Sequence, residues 1–511
     1  MSATTPPIRG RLTLLVASAL LACVVVHALR WWFVCDDAYI SFRYAKHVAS
    51  GAGLVFNLGE NPPVEGYTNL LWTVWSAVGL VLGLSPMWLA PLTSLGCAAL
   101  LTLGSARLAA RLGQLTPWQV FAAGACTAAL PTLGVWSSGG LETMACATAV
   151  FFVAERLVYD AERPRVLAAS VCAALATGLR ADGVVFVGMA LCGTLLLRPS
   201  LRAAVVRTGC AALLAVGVWM AVRFLVHEHW LPLTAQAKTG WALWRWERGA
   251  FYAGSMLLAM PALVVLVLAP LIVQREYRRL ASVGTLAVLA MLGWSVLVGG
   301  DFMAYGRFLA PALGFVTFAA AALAKRHVWL PLSLCGLSLL PAFGVEWTPQ
   351  AWRQALHFRW NEPLAKSESD MWLGMKTRAD EWLALGRAMA TRTEPGQSIV
   401  LGGIGAIGYA TELTIFDQYG LVSPSVVRAG LPPQPASPGH DRRVDAEFFF
   451  PERPTFLGAW FARPQEALNE RLPQEWLQLL AHGEARIDRY SLREEEAPFE
   501  GAELRMLRLL R

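Results

Sequence analysis

Apolar runs of near membrane-crossing length recur along this chain, and no other feature restricts its fold so severely. "LLAVGVWMAVRFLV" and "MLLAMPALVVLVLAPLIV" are parts of two of them. Twelve segments can be counted, at about 12–33, 69–84, 86–106, 117–134, 143–159, 166–179, 183–198, 203–226, 250–273, 280–299, 306–324 and 328–344. They read as membrane helices. Composition agrees: 56% of the 511 residues are hydrophobic, 15% are charged and 21 are tryptophan, beyond what a soluble globular protein carries. The predicted class is an α-helical multispan membrane protein.

Charge placement orients the spans. With all twelve segments crossing, Arg107/Arg111, Arg163/Arg165, Arg198/Arg202 and "REYRR" at 275–279 would lie outside, against the positive-inside rule. One segment that does not cross removes the conflict. The best candidate among the early segments, 69–84, is short, follows a Gly/Pro-rich loop and reads as an interfacial or re-entrant helix within a first external loop, 34–85. About eleven spans remain, forming a domain over 1–344 with a cytoplasmic N-terminus. The apolar run after Arg9 and Arg11 continues past "LLAC" to Trp31/Trp32, which reads as an uncleaved signal anchor rather than a cleaved leader. From about Val345 charge and proline rise and no membrane-length run occurs, so 345–511 is expected to be a soluble α/β domain outside the membrane. "QSIVLGG" and "LTIFDQYGL" read as its strands, "DEWLALGRAMATR" as an amphipathic helix and "LPPQPASPGH" as a loop.

The net charge of +7 does not indicate nucleic acid, because the basic residues form short clusters between apolar runs. The nine cysteines lie mostly within apolar stretches without CxxC or Cys/His spacing, so a disulfide framework or zinc site is not expected.

In this topology five polar motifs face outward: Asp36/Asp37, "SSGGLET" (137–143), "LRADG" (179–183), "PLTAQAK" (232–238) and "GGDFMAYGRF" (299–308). Their convergence argues for one external site. Each also has a plain reading. Asp36 and Asp37 precede a helix-forming stretch and can cap it, although one aspartate suffices and a second adds repulsion. The residues alone leave cap and catalysis open. Glu142 can start a helix. A carboxylate at bilayer depth costs roughly 2.5–3.5 kcal/mol, so Asp182 is expected to pair with Arg180 and Asp301 with Arg307, within a polar cavity or as structural neutralisation. "GIGAIG" at 403–408 fits a dinucleotide fingerprint but lacks the acidic residue about twenty positions on, and reads as a glycine turn in close strand–helix packing. The external cations are Arg43, Lys46, His47, Arg180, His227, His229, Lys238, Arg307, His440, Arg442 and Arg443. Guanidinium and ammonium groups beside carboxylates suit a phosphorylated group donor.

"DDAYISFRYAKHVASGAGLVFNLGENPPVEGYTNLLW", "GLET", "LRADG", "PLTAQAK", "GGDFMAYGRFLAPAL", "DQYGL" and "GHDRRVDAEFF" occur in the order found in polyprenyl-phosphate-dependent GT-C glycosyltransferases. Across most of its length the chain resembles the arabinofuranosyltransferases that add terminal β-(1→2)-linked arabinofuranose to cell-wall arabinan. It departs from them at Ala181, where proline is usual, and Leu233, where asparagine is common. The resemblance implies a GT-C fold in a bacterial inner membrane and a cavity opening outward. It also implies an inverting, single-displacement transfer from a polyprenyl-phosphate sugar to a glycan acceptor. Asp36 is then the base and Asp37 its partner. Arg180, Lys238, Arg307, His440 and Asp301 are expected to bind donor phosphate or sugar, and Glu142, Asp182, Glu65 and Tyr67 to line the acceptor cavity. No cofactor is required and a divalent metal is optional. The rivals are a GT-C transferase of mannose or aminoarabinose acting on protein, pilin or lipid A, and a lipid-sugar transporter; symmetric halves, expected of many transporters, are not visible.

Overall fold

The structure, a computed structural model, describes residues 7–238, 242–357, 366–432, 434–466 and 472–510, without the side chains of residues 7–12, 237 and 238. Among these residues five helices are long and apolar enough to cross a membrane: Thr13–Arg30, Pro86–Gly113, Pro199–His227, Arg275–Val298 and Arg307–Arg326. Shorter apolar helices at Leu70–Val81, Val166–Leu179, Gly183–Leu197 and Trp329–Phe343 fill much of the remaining expected span territory. The expected continuous span at 250–273 is instead a pair, Leu243–Ala259 and Pro261–Ile272, bent by 90°. Pro261 opens the second helix and cannot donate back across the break. The 117–134 segment is likewise divided, into Pro117–Ala128 and Pro131–Trp136. Hydropathy counting passes over both proline breaks. The Leu70–Val81 helix has twelve residues, about 18 Å at 1.5 Å per residue, short of a hydrocarbon core of about 30 Å.

Burial ranks the helices. Arg307–Arg326 is central, 89% buried over its most apolar window, whereas Pro199–His227 is peripheral at 6%. The sequence explains the centre: "FAAAALA" presents small side chains that let neighbouring backbones approach. Thr317 on the same helix shares hydrogen bonds with Ser105 (2.9 Å) and Thr127 (2.8 Å), polar links where no water competes.

Beyond the helices lies one five-stranded mixed sheet. Its strands are β1 (Ser398–Leu401), β2 (Thr414–Asp417), β3 (Phe456–Ala462), β4 (Ala485–Ser491) and β5 (Glu503–Leu509), in the order β2-β1-β3-β5-β4. β1 runs parallel to β2 and β3, and β5 antiparallel to β3 and β4. The segments read as strands at 397–403 and 413–421 contain β1 and β2, and the amphipathic stretch at 380–392 ends the helix Glu368–Ala390. Helix Asp36–Ala49 lies between the membrane helices and this sheet, with Ala38, Tyr39 and Phe42 in the membrane-side core and Ile40 and Tyr44 in the sheet-side core.

Arg43 fixes that junction. Its guanidinium, 1% exposed, donates to the carbonyls of Phe56 (2.6 Å), Gly408 (2.6 Å) and Leu413 (2.8 Å) and to Asn57 Oδ1 (3.4 Å). Asn57 in turn pairs with both backbone groups of Ile415 on edge strand β2, accepting at 2.9 Å and donating at 3.1 Å. Arg43, counted among the external cations in the sequence, is spent on structure. His47 hydrogen-bonds Val55 O at 2.9 Å, and Lys46 pairs with Glu412.

Candidate active site

The helix carrying the two aspartates begins at Asp36, and Cys35 occupies its N-cap position. The Asp36 carboxylate is committed elsewhere: it accepts from the backbone N–H groups of Gly405 (3.2 Å) and Ala406 (2.7 Å). Those amides open the short helix Gly405–Ala410, which follows β1. "GIGAIG" therefore serves close approach on two sides: a Cβ on Gly403, just after β1, would lie 2.3 Å from Trp382 of helix Glu368–Ala390, and Gly405 and Gly408 face helix Asp36–Ala49. A Cβ on Gly405 would lie 1.9 Å from the Asp36 carbonyl oxygen, and one on Gly408 would lie 3.1 Å from Arg43 Nη1. Burial pushes Asp36 up to about 7; the Ala406 and Gly405 amides oppose the rise, and the neighbouring Asp37 charge adds to it.

Two cavities meet beside the pair. The first, about 370 Å³, is lined by Asp36, Asp37, Arg378, Trp382, Tyr419 and His440 among others. The second, about 420 Å³, is lined by Asp37, Asp301, Arg307, Arg245 and the apolar Trp246 and Leu297, among others. Asp37, Phe302 and Gly439 line both. Asp37 thus stands where a molecule in one cavity faces a molecule in the other.

The loop 299–306 sets the second cavity's charges. Gly299, Gly300 and Gly306 have φ of +83°, +83° and +63°, and Tyr305 is left-handed at 53°. Glycine meets that demand without strain. Tyr305 is held in it by Glu368, which accepts from its N–H at 2.7 Å, and by a 2.7 Å contact of its hydroxyl with Ser369. The loop turns Asp301 onto Arg307, Nε to Oδ2 at 3.0 Å. The other sequence-expected pair also forms: Arg180 grips Asp182 with two hydrogen bonds, 2.8 and 3.0 Å. Arg180 also reaches Glu142 at 3.3 Å. Asn69 donates to Glu142 at 2.8 Å and accepts from Ser41 at 3.0 Å, linking this cluster to helix Asp36–Ala49. Arg180 and Arg307 both lie over Phe308, 5.5 and 5.6 Å from its ring centroid.

The structure therefore gathers Asp36, Asp37, Asp301, Arg307 and His440 around the two cavities. It puts Arg180, Asp182 and Glu142 in an adjoining cluster that lines neither. Glu65 and Tyr67 stand apart. Glu65 pairs with Arg223 at 2.7 Å, and Tyr67 O–H donates at 3.0 Å to His227, whose other ring nitrogen donates to Pro63 O at 2.8 Å. These residues fasten the first loop to helix Arg202–His227 around a small separate pocket. The Lys238 side chain lies outside the described residues. Among the described residues, no three His, Cys, Asp or Glu side chains converge on a metal-holding geometry. Sequence reading missed the Gly405 and Ala406 amides, Arg378 and Arg245. The glycine spacing at 403–408 was the one signal available.

Asp417 organises the wall opposite. Its buried carboxylate accepts from the amides of Tyr419 (2.8 Å), Leu421 and Val422 (3.1 Å), and burial pushes it up to about 6. The turn so formed places Tyr419 edge-on to His440, ring centroids 4.7 Å apart.

Residues 371–489 match a family described as a domain of unknown function (DUF8728). No curated protein matches the chain. Among solved structures, ArnT from Cupriavidus metallidurans bound to undecaprenyl phosphate is similar at 15% identity and a TM-score of 0.52, covering 97% of this chain and 98% of that one. The same protein in its apo state gives 16% and 0.52, covering 98% of each. A mycobacterial arabinofuranosyltransferase, AftD, is similar at 15% identity across 99% of this chain and 42% of that one; its TM-score of 0.45 is too low to bear on the site. The ArnT likeness establishes the fold: this chain has the multispan membrane architecture of a GT-C protein.

Proposed function

We propose that this protein is an inverting membrane glycosyltransferase that moves a pentose, arabinofuranose, from a polyprenyl-phosphate donor to a cell-envelope glycan. The observation that carries the reading is the junction of two cavities at a carboxylate pair, one cavity holding arginines and opening past exposed apolar side chains. The undecaprenyl phosphate bound to ArnT supports a polyprenyl-phosphate donor here, and the sequence resemblance supports arabinofuranose. The protein then resides in the bacterial inner membrane with its N-terminus cytoplasmic, about eleven segments in the bilayer, and residues 345–511 as an extracytoplasmic domain.

In this reading the acceptor hydroxyl enters the Asp36 cavity and the donor enters the Arg307 cavity. The hydroxyl oxygen attacks the anomeric carbon from the face opposite the phosphate, and its proton passes to Asp36. The bond from anomeric carbon to phosphate oxygen breaks with its electron pair leaving on the phosphate. A carboxyl near neutrality suits a base working at neutral pH. Two amides hold it in one orientation, so little reorganisation accompanies proton transfer. Arg307, steadied by Asp301, faces the charge that develops on the leaving phosphate. Asp37, on the shared wall, orients the acceptor. Arg180 with Glu142 and Asp182 backs this arrangement through Phe308, and His440 belongs to the acceptor side.

The second reading keeps the fold and changes the sugar to mannose or aminoarabinose, transferred to protein, pilin or lipid A; the extent of the ArnT likeness is compatible with it. A panel of synthetic polyprenyl-phosphate sugars, offered to the purified protein with arabinan oligomers, protein and lipid A acceptors, decides between them. Pentose transfer to arabinan alone supports the first reading. Transfer only from another donor, or donor translocation without any product, rejects it.

A further inference from the structure

The two cavities share a strap, residues 436–441. Ser437, Gly439 and His440 line the Asp36 side, and Pro438 and Gly439 line the Arg307 side. The strap is held by two arginines on helix Leu243–Ala259, Arg245 and Arg248, spaced to lie on one face. Arg248 is 1% exposed, donates to Gly299 O (2.8 Å) and Ala436 O (2.7 Å), and pairs with buried Asp441. Arg245 reaches the same carboxylate, Nη2 to Oδ2 at 3.2 Å, so Asp441 sits between two guanidinium groups.

That second arginine is the one that lines the cavity. Arg307, on the same cavity, is already offset by Asp301 at 3.0 Å. Trp246, one residue from Arg245, and Leu297 line the same space and are 44% and 62% exposed, so its mouth is apolar. An apolar mouth leading to paired guanidinium groups matches one ligand chemistry, a phosphate monoester or diester on a long apolar chain. Resting on the reading of the chain as a polyprenyl-phosphate transferase, we propose that Arg245 binds the lipid phosphate together with Arg307, and that Asp441 is a positioning residue that fixes its guanidinium. The ion pair with Asp441 restrains the Arg245 side chain on the cavity wall, so less rotamer freedom is lost when the phosphate binds.

The test is binding of undecaprenyl phosphate to the full-length protein in nanodiscs, with and without excess inorganic phosphate, for wild type, R245A, R245Q, R245K, D441N and R307A. Loss of a charge-assisted contact predicts roughly 10- to 100-fold weaker binding for R245A and R245Q. Partial recovery is expected in R245K. A smaller loss is expected in D441N, which in turnover raises donor KM more than it lowers kcat; a merely structural defect would lower both the melting temperature and kcat. R245Q keeps length and polarity, so a folding defect in R245A does not remove the test. Wild-type affinity in R245Q alongside weakened R307A overturns the assignment of Arg245 and leaves the transferase reading standing. Failure of wild type to bind the lipid overturns both, and inorganic phosphate bound as tightly as undecaprenyl phosphate overturns the lipid as the source of the phosphate.

Discussion

Substituting Gly405 by alanine strikes the contact that holds the base while leaving every polar side chain that lines the cavities chemically unchanged. The added Cβ would sit 1.9 Å from the Asp36 carbonyl oxygen and 2.9 Å from its Cγ, about 1.5 Å inside ordinary contact. Backbone is on both sides of the clash, so helix Gly405–Ala410 and helix Asp36–Ala49 must separate. A separation of that size breaks the 3.2 and 2.7 Å amide bonds to the carboxylate. A misplacement of about 1 Å near reacting atoms costs on the order of 10²-fold in rate. The two amides also hold Asp36 below where burial alone would leave it, so their loss raises it above about 7. A protonated Asp36 cannot take the acceptor proton, and the rate falls as pH falls through that value. Gly405→Ala is therefore expected to lower kcat about 100-fold and to move the acid limb of the pH–rate profile to higher pH. Initial rates of sugar transfer in nanodiscs, measured on both sides of neutrality, supply both numbers. A wild-type rate with an unmoved acid limb would refute the clasp as the device that positions the base.

Asp36→Asn is expected to make the protein more stable at alkaline pH. The folded carboxyl is raised above its ordinary range, so its favourable contribution is present at low pH and lost as pH rises through about 7; melting temperatures of the two forms should diverge in that direction. Arg43→Met leaves the carbonyls of Phe56, Gly408 and Leu413 without this donor in a buried junction. At about 1–3 kcal/mol for an unsatisfied buried group, a marked fall in melting temperature follows, and an unchanged melt would contradict the structural role. Glu65→Gln weakens the 2.7 Å pair with Arg223 and should lower stability while leaving kcat and donor KM unchanged. A fall in kcat with an intact melt would return Glu65 to the acceptor site.

The membrane character, the strands β1 and β2, and the Arg180–Asp182 and Asp301–Arg307 pairs were legible because each is encoded within a few residues. A carboxylate at bilayer depth needs a cation, and the nearest one in sequence was the partner found. The clasp on Asp36 was not legible, since its donors lie 369 and 370 positions away and are backbone amides that any residue supplies. Arg245 carries no local signal in the sequence, because its partner Asp441 lies far along the chain and only the fold brings the two together. Glu65 and Tyr67 were expected at the acceptor cavity from the family resemblance, whereas the loop carries them to Arg223 and His227. The 90° bend between Ala259 and Pro261 escaped hydropathy for a different reason: apolar content is blind to the missing proline N–H.

The most direct test is a paired assay of wild type and Asp36→Asn with decaprenyl-phosphoryl-arabinofuranose and a short arabinan acceptor, measuring donor binding and product in the same preparation. The expected result is arabinofuranose transfer with inverted anomeric configuration by wild type, and donor binding without transfer by Asp36→Asn. Transfer by Asp36→Asn at the wild-type rate, or absence of transfer by wild type that binds the donor, would contradict the central claim.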